Sequence, residues 1–591
     1  MKSQHVPTVG LSILFAALAV SFALQTPAAA DSVWNGGDGD WSEDGKWTPT
    51  GAPDSETVDV QIDGGKTGTD STVTLDIHAD VLSLTIDNGD ALEADNGRTL
   101  YVNGNGSTNN GTWTLHGVAG DASHTEVLFR GSQTLDGSGT LDLGANRDGY
   151  IRTGADADVI THGASHTIRG AGRILGLASG WGGMINYGTI VADGDTDHCL
   201  RIWPGSPGFT NAGTLQAVGA GGMDLRGTFT NTGQTIEVAD GSRLELYGCA
   251  LEGGHVAATG SHTGEIDVTF DSDLGGVTID ADTTVDQNNG QGVDVFKGLT
   301  NNGIWNLNSI GVSTAMFFRG SQTLGGAGEV VMSDNVNNAV RAGANGDVIT
   351  HGANHTIRGA GHVLWGAGGM LNEGTIVADA SNTLRIDPGT DGFTNTGRVE
   401  VAAGSSLASN GTLTQTAGTT HVDGELSVIV LLDIQGGVLS GTGTVNGPTH
   451  VAGTFAPGAS VGTLTMEELE IQAGATYELE IEGDQSDLVH VTSDFVMDPD
   501  GPYTVNVICS GGDACLGEHD FFTWDGDDPI EFKDWGLLYQ NTTITFSPGY
   551  DGDWSYDETA NRMYVEITEV PEPCSLFLLG LGGVALLRRK R

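Results

Sequence analysis

The unit Asn-x-Gly followed by a short β-prone run recurs along this chain, at Asn109-Asn110-Gly111-Thr112-Trp113, Asn186-Tyr187-Gly188-Thr189-Ile190 and Asn211-Ala212-Gly213-Thr214-Leu215. It returns at Asn301-Asn302-Gly303-Ile304-Trp305, Asn372-Glu373-Gly374-Thr375-Ile376 and Asn395-Thr396-Gly397-Arg398-Val399. Asn186 to Asn211 is 25 residues, Asn211 to Asn231 is 20 and Asn372 to Asn395 is 23. Short strands repeated at that interval are the signature of a solenoid. Helical repeats are excluded, because 93 of the 591 residues are Gly, and each Gly inside a helix costs about 1 kcal/mol relative to Ala. Runs such as Gly188-Thr189-Ile190-Val191-Ala192 alternate like strands instead. Asn and Gly accept left-handed backbone, which predicts such conformations at the corners between strands. Stacked coils then set Asn above Asn and pair side-chain amides along the axis. The fold class read from this pattern is all-β, a right-handed parallel β-helix.

A larger duplication overlies the coil period. Phe129 to Leu135 recurs at Phe318 to Leu324, Asp158 to Ala164 at Asp347 to Ala353, and His166 to Gly172 at His355 to Gly361. The offset is 189 residues for these three, then 186 at Gly188 and Gly374, and 184 at Phe209 and Phe393. Small deletions between strands, where loops tolerate them, account for the drift. Two copies of a multi-coil block make one long rod. Roughly 17 coils at about 4.8 Å each predict a rod about 80 Å long.

Charge narrows the function. The chain has 76 acidic and 24 basic residues, a net charge of −52, and a pI near 4.2. A nucleic-acid binder needs a basic face, so that class falls away. The two ends mark the route of the chain. Lys2, an apolar run from Val9 to Leu24, and Ala28-Ala29-Ala30 read as a signal peptide over 1–30. Removing Lys2 and the four terminal bases leaves 19 bases and 75 acids in 31–571, so the exported body carries 19 − 75 = −56. At the other end Val570-Pro571-Glu572-Pro573 precedes an apolar stretch, Cys574 to Leu587, and the tail Arg588-Arg589-Lys590-Arg591. Fourteen residues span about 21 Å as a helix, against the ~30 Å of a bilayer core. The basic tail stays cytoplasmic by the positive-inside rule. The segment reads as a short, transient inner-membrane anchor.

Pro571-Glu572-Pro573, a short Gly- and Leu-rich helix and an Arg-rich end resemble the PEP-CTERM sorting signal. The resemblance implies recognition by an exosortase, a membrane-bound Cys-dependent transpeptidase-like enzyme. It also implies removal of the helix near the motif and transfer of the body to the cell surface or extracellular matrix. Cys574, directly after the motif, departs from the pattern and reads as packing within the helix. Near the start, Trp34-Asn35-Gly36-Gly37-Asp38-Gly39-Asp40-Trp41 with Trp47 resembles the N-terminus of autotransporter-like passengers. Large aromatics there are expected to cap the end of the rod core. Leu439 to Val445 leading to Ala456 to Leu464 resembles the autotransporter-associated strand repeat.

The domain organisation read from these features is a Trp-rich cap at 31–56 and a β-helix at 57–435. The helix holds two blocks, at about 85–240 and 278–425. A strand-repeat region and C-terminal β module follow at 436–568, with the sorting signal at 570–591. Cys509, Cys515, Phe521, Phe522, Trp524, Trp535 and Trp554 suggest that the module closes the rod.

Candidate chemistry is sparse. Gly458-Ala459-Ser460-Val461-Gly462 matches the nucleophile-elbow pattern, but the elbow needs a helix after it, and Thr463-Leu464-Thr465 reads as strand. His162 and His166, copied as His351 and His355, are four residues apart. That spacing suits a metal on a helix; on a strand it spans about 13 Å, too far for one ion unless a turn at Gly163 draws them together. Asp193, Asp195 and Asp197, and separately Asp38 and Asp40, offer oxygen-rich loops for Ca2+. Cys509 and Cys515 enclose five residues, and a disulfide between them is expected in an exported protein. Cys199 and Cys249 are about two coils apart, beyond the ~7 Å reach of a bridge between them. Arg169 and Arg358 are expected to face outward and pair with carboxylates on neighbouring coils, each beside a core-facing Ile168 or Ile357. The reading is an exported, non-catalytic, structural or adhesion-type surface protein with exosortase and extracellular polysaccharide as partners and no catalytic residues. The alternative is a β-helix carbohydrate-active enzyme or glycan-binding protein of polysaccharide-lyase type.

Overall fold

The structure is a computed structural model that describes residues 31–569, apart from 64, 66–69, 119–123, 145–148, 177–181, 459, 498–500, 511, 526–534 and 558. The signal peptide and the Pro571-Glu572-Pro573 signal with its apolar segment lie outside the described residues. Among the described residues no helix is long and apolar enough to cross a membrane.

Short strands stack in parallel as a β-solenoid of about 18 turns. Each coil contributes strands to three faces, and residues on one face pair with those one coil above and below. One column of inward side chains runs Leu92, Trp113, Leu141, Ile168, Ile190, Leu215, Ile236, Val256 and Ile279. All nine are buried. Burial of side chains of this size contributes about 1.5–3 kcal/mol each. Strands read intermediate-buried-intermediate-buried, as in Thr189–Ala192, because alternate residues point to opposite sides of the sheet.

The glycines of the Asn-x-Gly unit do not serve the purpose expected of them. Gly188, Gly213, Gly374 and Gly397 are absent from the positive-φ positions. They are small because the coil below presses on them. A Cβ on Gly188 would lie 2.4 Å from the His166 carbonyl oxygen, and one on Gly213 would lie 2.2 Å from that of Gly188. Left-handed backbone occurs at other turns, such as Gly170 at φ 109° and Gly359 at φ 106°.

The three Trp residues of the N-terminal segment do close the rod. Trp34, Trp41 and Trp47 are fully buried and meet edge to face, with centroids 4.9 Å apart in both pairs. Each indole N–H donates to a backbone carbonyl, of Gly37, Pro53 and Trp41 respectively. At the far end the parallel ladder carries on past residue 435, through Thr476–Glu482 and Tyr503–Cys509 to Thr542–Phe546. Besides the short turn-back of Gln485–Ser486 onto Thr476–Glu482, the pairing turns antiparallel where Arg562–Glu569 joins Gly517–Trp524 and Tyr550–Asp557. Phe521, Phe522, Trp524 and Trp554 are buried there.

The two blocks are not in line. From Trp113 the column leads upward by eight pairing steps to Asn301. The copies of Trp113 and Ile168, which are Trp305 and Ile357, stand one face further on, in the column of Leu244, Ile266 and Val285. The duplication therefore spans eight coils and one face, and the second block is turned by one face of three about the axis.

Candidate functional site

The histidine pairs lie inside the rod. His162 and His166 are both buried, and the turn at Gly163 brings their ring nitrogens to 2.9 Å. They belong to a chain of side-chain hydrogen bonds. Asn109 Nδ2 donates to His166 Nε2 (3.1 Å), which fixes the His166 proton on Nδ1. His166 Nδ1 donates to His162 Nε2, and His162 Nδ1 donates to Asn186 Oδ1 (2.6 Å). Asn186 Nδ2 then donates to Asn211 Oδ1 at 2.9 Å, and Asn211 Nδ2 to Asn231 Oδ1 at 2.8 Å. The second block repeats the chain as Asn301, His355, His351, Asn372 and Asn395, ending on Gln415 Oε1. Every donor points the same way, so protonating either ring sets two donors face to face. Burial, the main cause, lowers His162 and His351 to about 4 and His166 and His355 to about 3. The stacked amides are those expected from the sequence; the imidazoles extend the same ladder.

The outward charges are largely spent on neighbours. Arg169 is half-exposed and bonds Asp193, with Asp142 at 4.0 Å. Arg358 repeats this with Asp379 at 2.5 Å and Glu329 at 3.8 Å. Ile168 and Ile357 are fully buried, as expected. The acidic loops are not gathered into a cation site. Asp193 is held by Arg169, Asp195 accepts from His198 Nδ1 at 2.6 Å, and Asp38 accepts the Thr72 N–H at 3.0 Å. Asp40 is exposed, and its backbone N–H meets Glu43; Asp197 is exposed as well. Among the described residues no group of three or more His, Cys, Asp or Glu is arranged to hold a metal. Ser460 sits in an exposed bend, and the strand Thr463–Ile471 follows it, so the context of a nucleophile elbow is missing. Cys509 and Cys515, the pair expected to form a disulfide, stand here as thiols. They sit side by side, and burial followed by the neighbouring Cys515 pushes the Cys509 thiol up to about 12. Cys199, partly buried, and Cys249, buried, are free thiols.

A surface hollow of about 350 Å3 lies where the first block gives way to the second, with Asp273, Asp294, Phe317 and Arg319 on its walls. Gly292 opens it; a Cβ there would lie 3.4 Å from both Asp271 Oδ1 and Phe317 Cε2. Arg319 donates to Asp294 at 2.7 Å and lies 5.0 Å from the centre of the Phe317 ring. Asp273 is exposed and its carboxylate has no partner among the described residues. Partial burial, then the adjacent Asp294, hold it above the usual carboxylate range. One coil further, Arg341 lies over Phe317 (5.2 Å) and Trp365 (5.7 Å). Its Nε is buried without a hydrogen-bond partner. Burial and the nearby Arg319 lower its pKa. Trp365 is partly exposed and stacks on His362 at 4.3 Å.

The first block has the counterpart, a shallower hollow of about 410 Å3 lined by Tyr101, Leu128 and Arg130. There Arg130 reaches Asp80 at 2.8 Å with its guanidinium 4.3 Å from the Tyr101 ring centre. Register makes Asp80 the equivalent of Asp273 and Tyr101 that of Asp294. Arg152, equivalent to Arg341, bonds Glu126, whose position in the second block is Ala315. None of Asp273, Asp294, Phe317 and Arg341 was singled out from sequence. Their signal was available in the duplication, at the places where the copies disagree.

No curated protein matches the sequence. Among solved structures, the crystal structure of the Haemophilus influenzae Hap adhesin is similar at 10% identity and a TM-score of 0.31, covering 86% of this chain and 64% of that one. This chain thus spans less than two thirds of that chain's length. Residues 569–591 match the PEP-CTERM protein-sorting motif. The motif makes the chain an exported, surface-directed protein that carries a C-terminal PEP-CTERM sorting signal on a parallel β-solenoid body.

Proposed function

We propose that the protein is a non-catalytic structural or adhesion-type component of the cell surface or extracellular matrix. The C-terminal apolar segment holds it in the inner membrane only until an exosortase removes it. The observation that carries this reading is the coupling of a sorting motif to a rod whose repeated outward arginines are tied into neighbouring coils. The net charge of the exported body, 19 − 75 = −56, keeps such a rod soluble and self-repelling. Intact mass of the surface-exposed protein tests the sorting step. The expected species lacks Cys574 to Arg591, and a mature protein that keeps them removes the sorting step.

The alternative, a polysaccharide-cleaving enzyme, draws support from Asp273 and Asp294, carboxylates on adjacent coils in one hollow. A reducing-end assay on polygalacturonate and alginate separates the two readings. The structural reading expects no new reducing ends; release that Asp273→Asn abolishes establishes the enzyme.

A further inference from the structure

We infer that the second block's hollow and its rim are a binding site for a uronic-acid-containing glycan, lying lengthwise along the rod. This goes beyond the structural reading and holds for a structural rod or an enzyme alike.

The argument starts from what changed between the copies. In the first block both arginines are occupied, Arg130 by Asp80 and Arg152 by Glu126. In the second, Asp294 stands where Tyr101 stood and takes Arg319, which releases Asp273. Ala315 stands where Glu126 stood, so Arg341 faces no carboxylate. An unpaired guanidinium is an odd outcome on a chain with 76 acids and 24 bases. Two further changes point the same way. Leu128 becomes Phe317, and Gly176 becomes the partly exposed Trp365. The second hollow and its rim thereby present, over five coils, a free carboxylate, an aromatic face, a free guanidinium and a second aromatic face.

Those groups match one chemistry. A pyranose ring offers an apolar C–H face to an aromatic side chain, and its hydroxyls donate to a carboxylate such as Asp273. A uronate carboxylate suits the planar fork of Arg341, the side chain best shaped to grip that group. Asp273 to the Arg341–Trp365 pair covers four coil steps, about 19 Å at 4.8 Å per coil. The volume of about 350 Å3 falls in the range of small-ligand sites. The acidic body repels polyanions at long range. The site therefore selects by local contact, and added salt should strengthen binding rather than abolish it.

The test is titration calorimetry on the full exported chain, with hexagalacturonate as the probe and a neutral glucose hexamer as comparison. Saturable binding of hexagalacturonate is expected, at least tenfold tighter than the neutral hexamer. Trp365→Ala and Arg341→Gln should each weaken it tenfold or more at unchanged melting temperature. Gly292→Val, which fills the hollow, should do the same. Arg130→Gln, in the first block, should leave affinity within twofold. The inference is overturned if the uronate does not bind, if the two hexamers bind equally, or if binding survives both Trp365→Ala and Gly292→Val. Should Arg341→Gln fail to fold, the exposed Trp365 variant still decides.

Discussion

The two blocks share whole stretches of sequence and the same internal ladder, yet differ in direction and in surface. Inside, the copies agree atom for atom: Asn109–His166–His162–Asn186–Asn211 and Asn301–His355–His351–Asn372–Asn395 make the same bonds at similar lengths. Outside, Asp80 is paired with Arg130 while its equivalent Asp273 is free, and Glu126 has become Ala315. Inward positions are fixed by the coil above and the coil below, so a change at one strands a partner at two. Outward positions meet water and can diverge at little cost. A turn of one face between the blocks also points their equivalent surfaces in different directions.

The largest expected effect comes from cutting the ladders. Asn186→Ala leaves the His162 Nδ1–H unpaired and leaves the Asn211 oxygen only the Gly213 N–H at 3.3 Å, and should cost about 2–5 kcal/mol for a stranded buried donor, a weakened acceptor and the void left behind. Asn372→Ala should cost the same; denaturant unfolding that separates the two by more than about 2 kcal/mol would break the equivalence of the blocks. Next, Ile168→Ala and Ile357→Ala should each cost about 2–5 kcal/mol through lost burial and a cavity. Equal shifts of the midpoint at constant slope would sharpen the comparison.

Acid should act on both ladders together. The four imidazoles titrate lower in the fold than the usual 6.5 because they are buried. Their stabilisation is therefore complete above about pH 6.5 and is lost as pH falls toward 4, by about 2 kcal/mol per ring at pH 5. Asp90 and Asp487 slope the other way. Burial raises them to about 6 and about 7, so their contribution is present at low pH and lost as pH rises through those values. The ladders should hence be read ring by ring, by 15N-labelled histidine NMR, with all four rings neutral at pH 5. A pair that titrates near 6.5 marks a ladder open to water. The smallest effect belongs to Arg169→Ala and Arg358→Ala, at most about 1 kcal/mol each, since both ion pairs are partly exposed. A larger loss at one of them would show that the blocks differ in load as well as in surface.

Much of the fold was legible because strand alternation and the stacked Asn are local, repeated signals. The cap was legible because three Trp within 14 residues have few other uses. The role of Gly188 was not, because the carbonyl that forbids a Cβ comes from His166, on the preceding coil. The parallel ladder runs on past 435, where Thr476–Glu482 and Tyr503–Cys509 alternate like the strands before them. The hollow was illegible for another reason. Its residues become neighbours only across coils 20 or more residues apart, and repeat-seeking rewards agreement between copies, whereas this site is made of their disagreements.

The glycine corner beneath each histidine pair has one further consequence. At Gly137 and Gly326 the ladder has no rung, and a Cβ on either would lie 2.1 Å from the Asn109 or Asn301 carbonyl. The second imidazole reaches over that missing rung to the amide 57 or 54 residues earlier. A chain of look-alike coils risks being threaded one coil out of step, at little loss of apolar contact. Slipping by a coil would bring a glycine where the imidazole must bond, and an imidazole where no space exists. The gap and its bridge work as a registration mark, one per block, that tells the growing stack which coil it has reached.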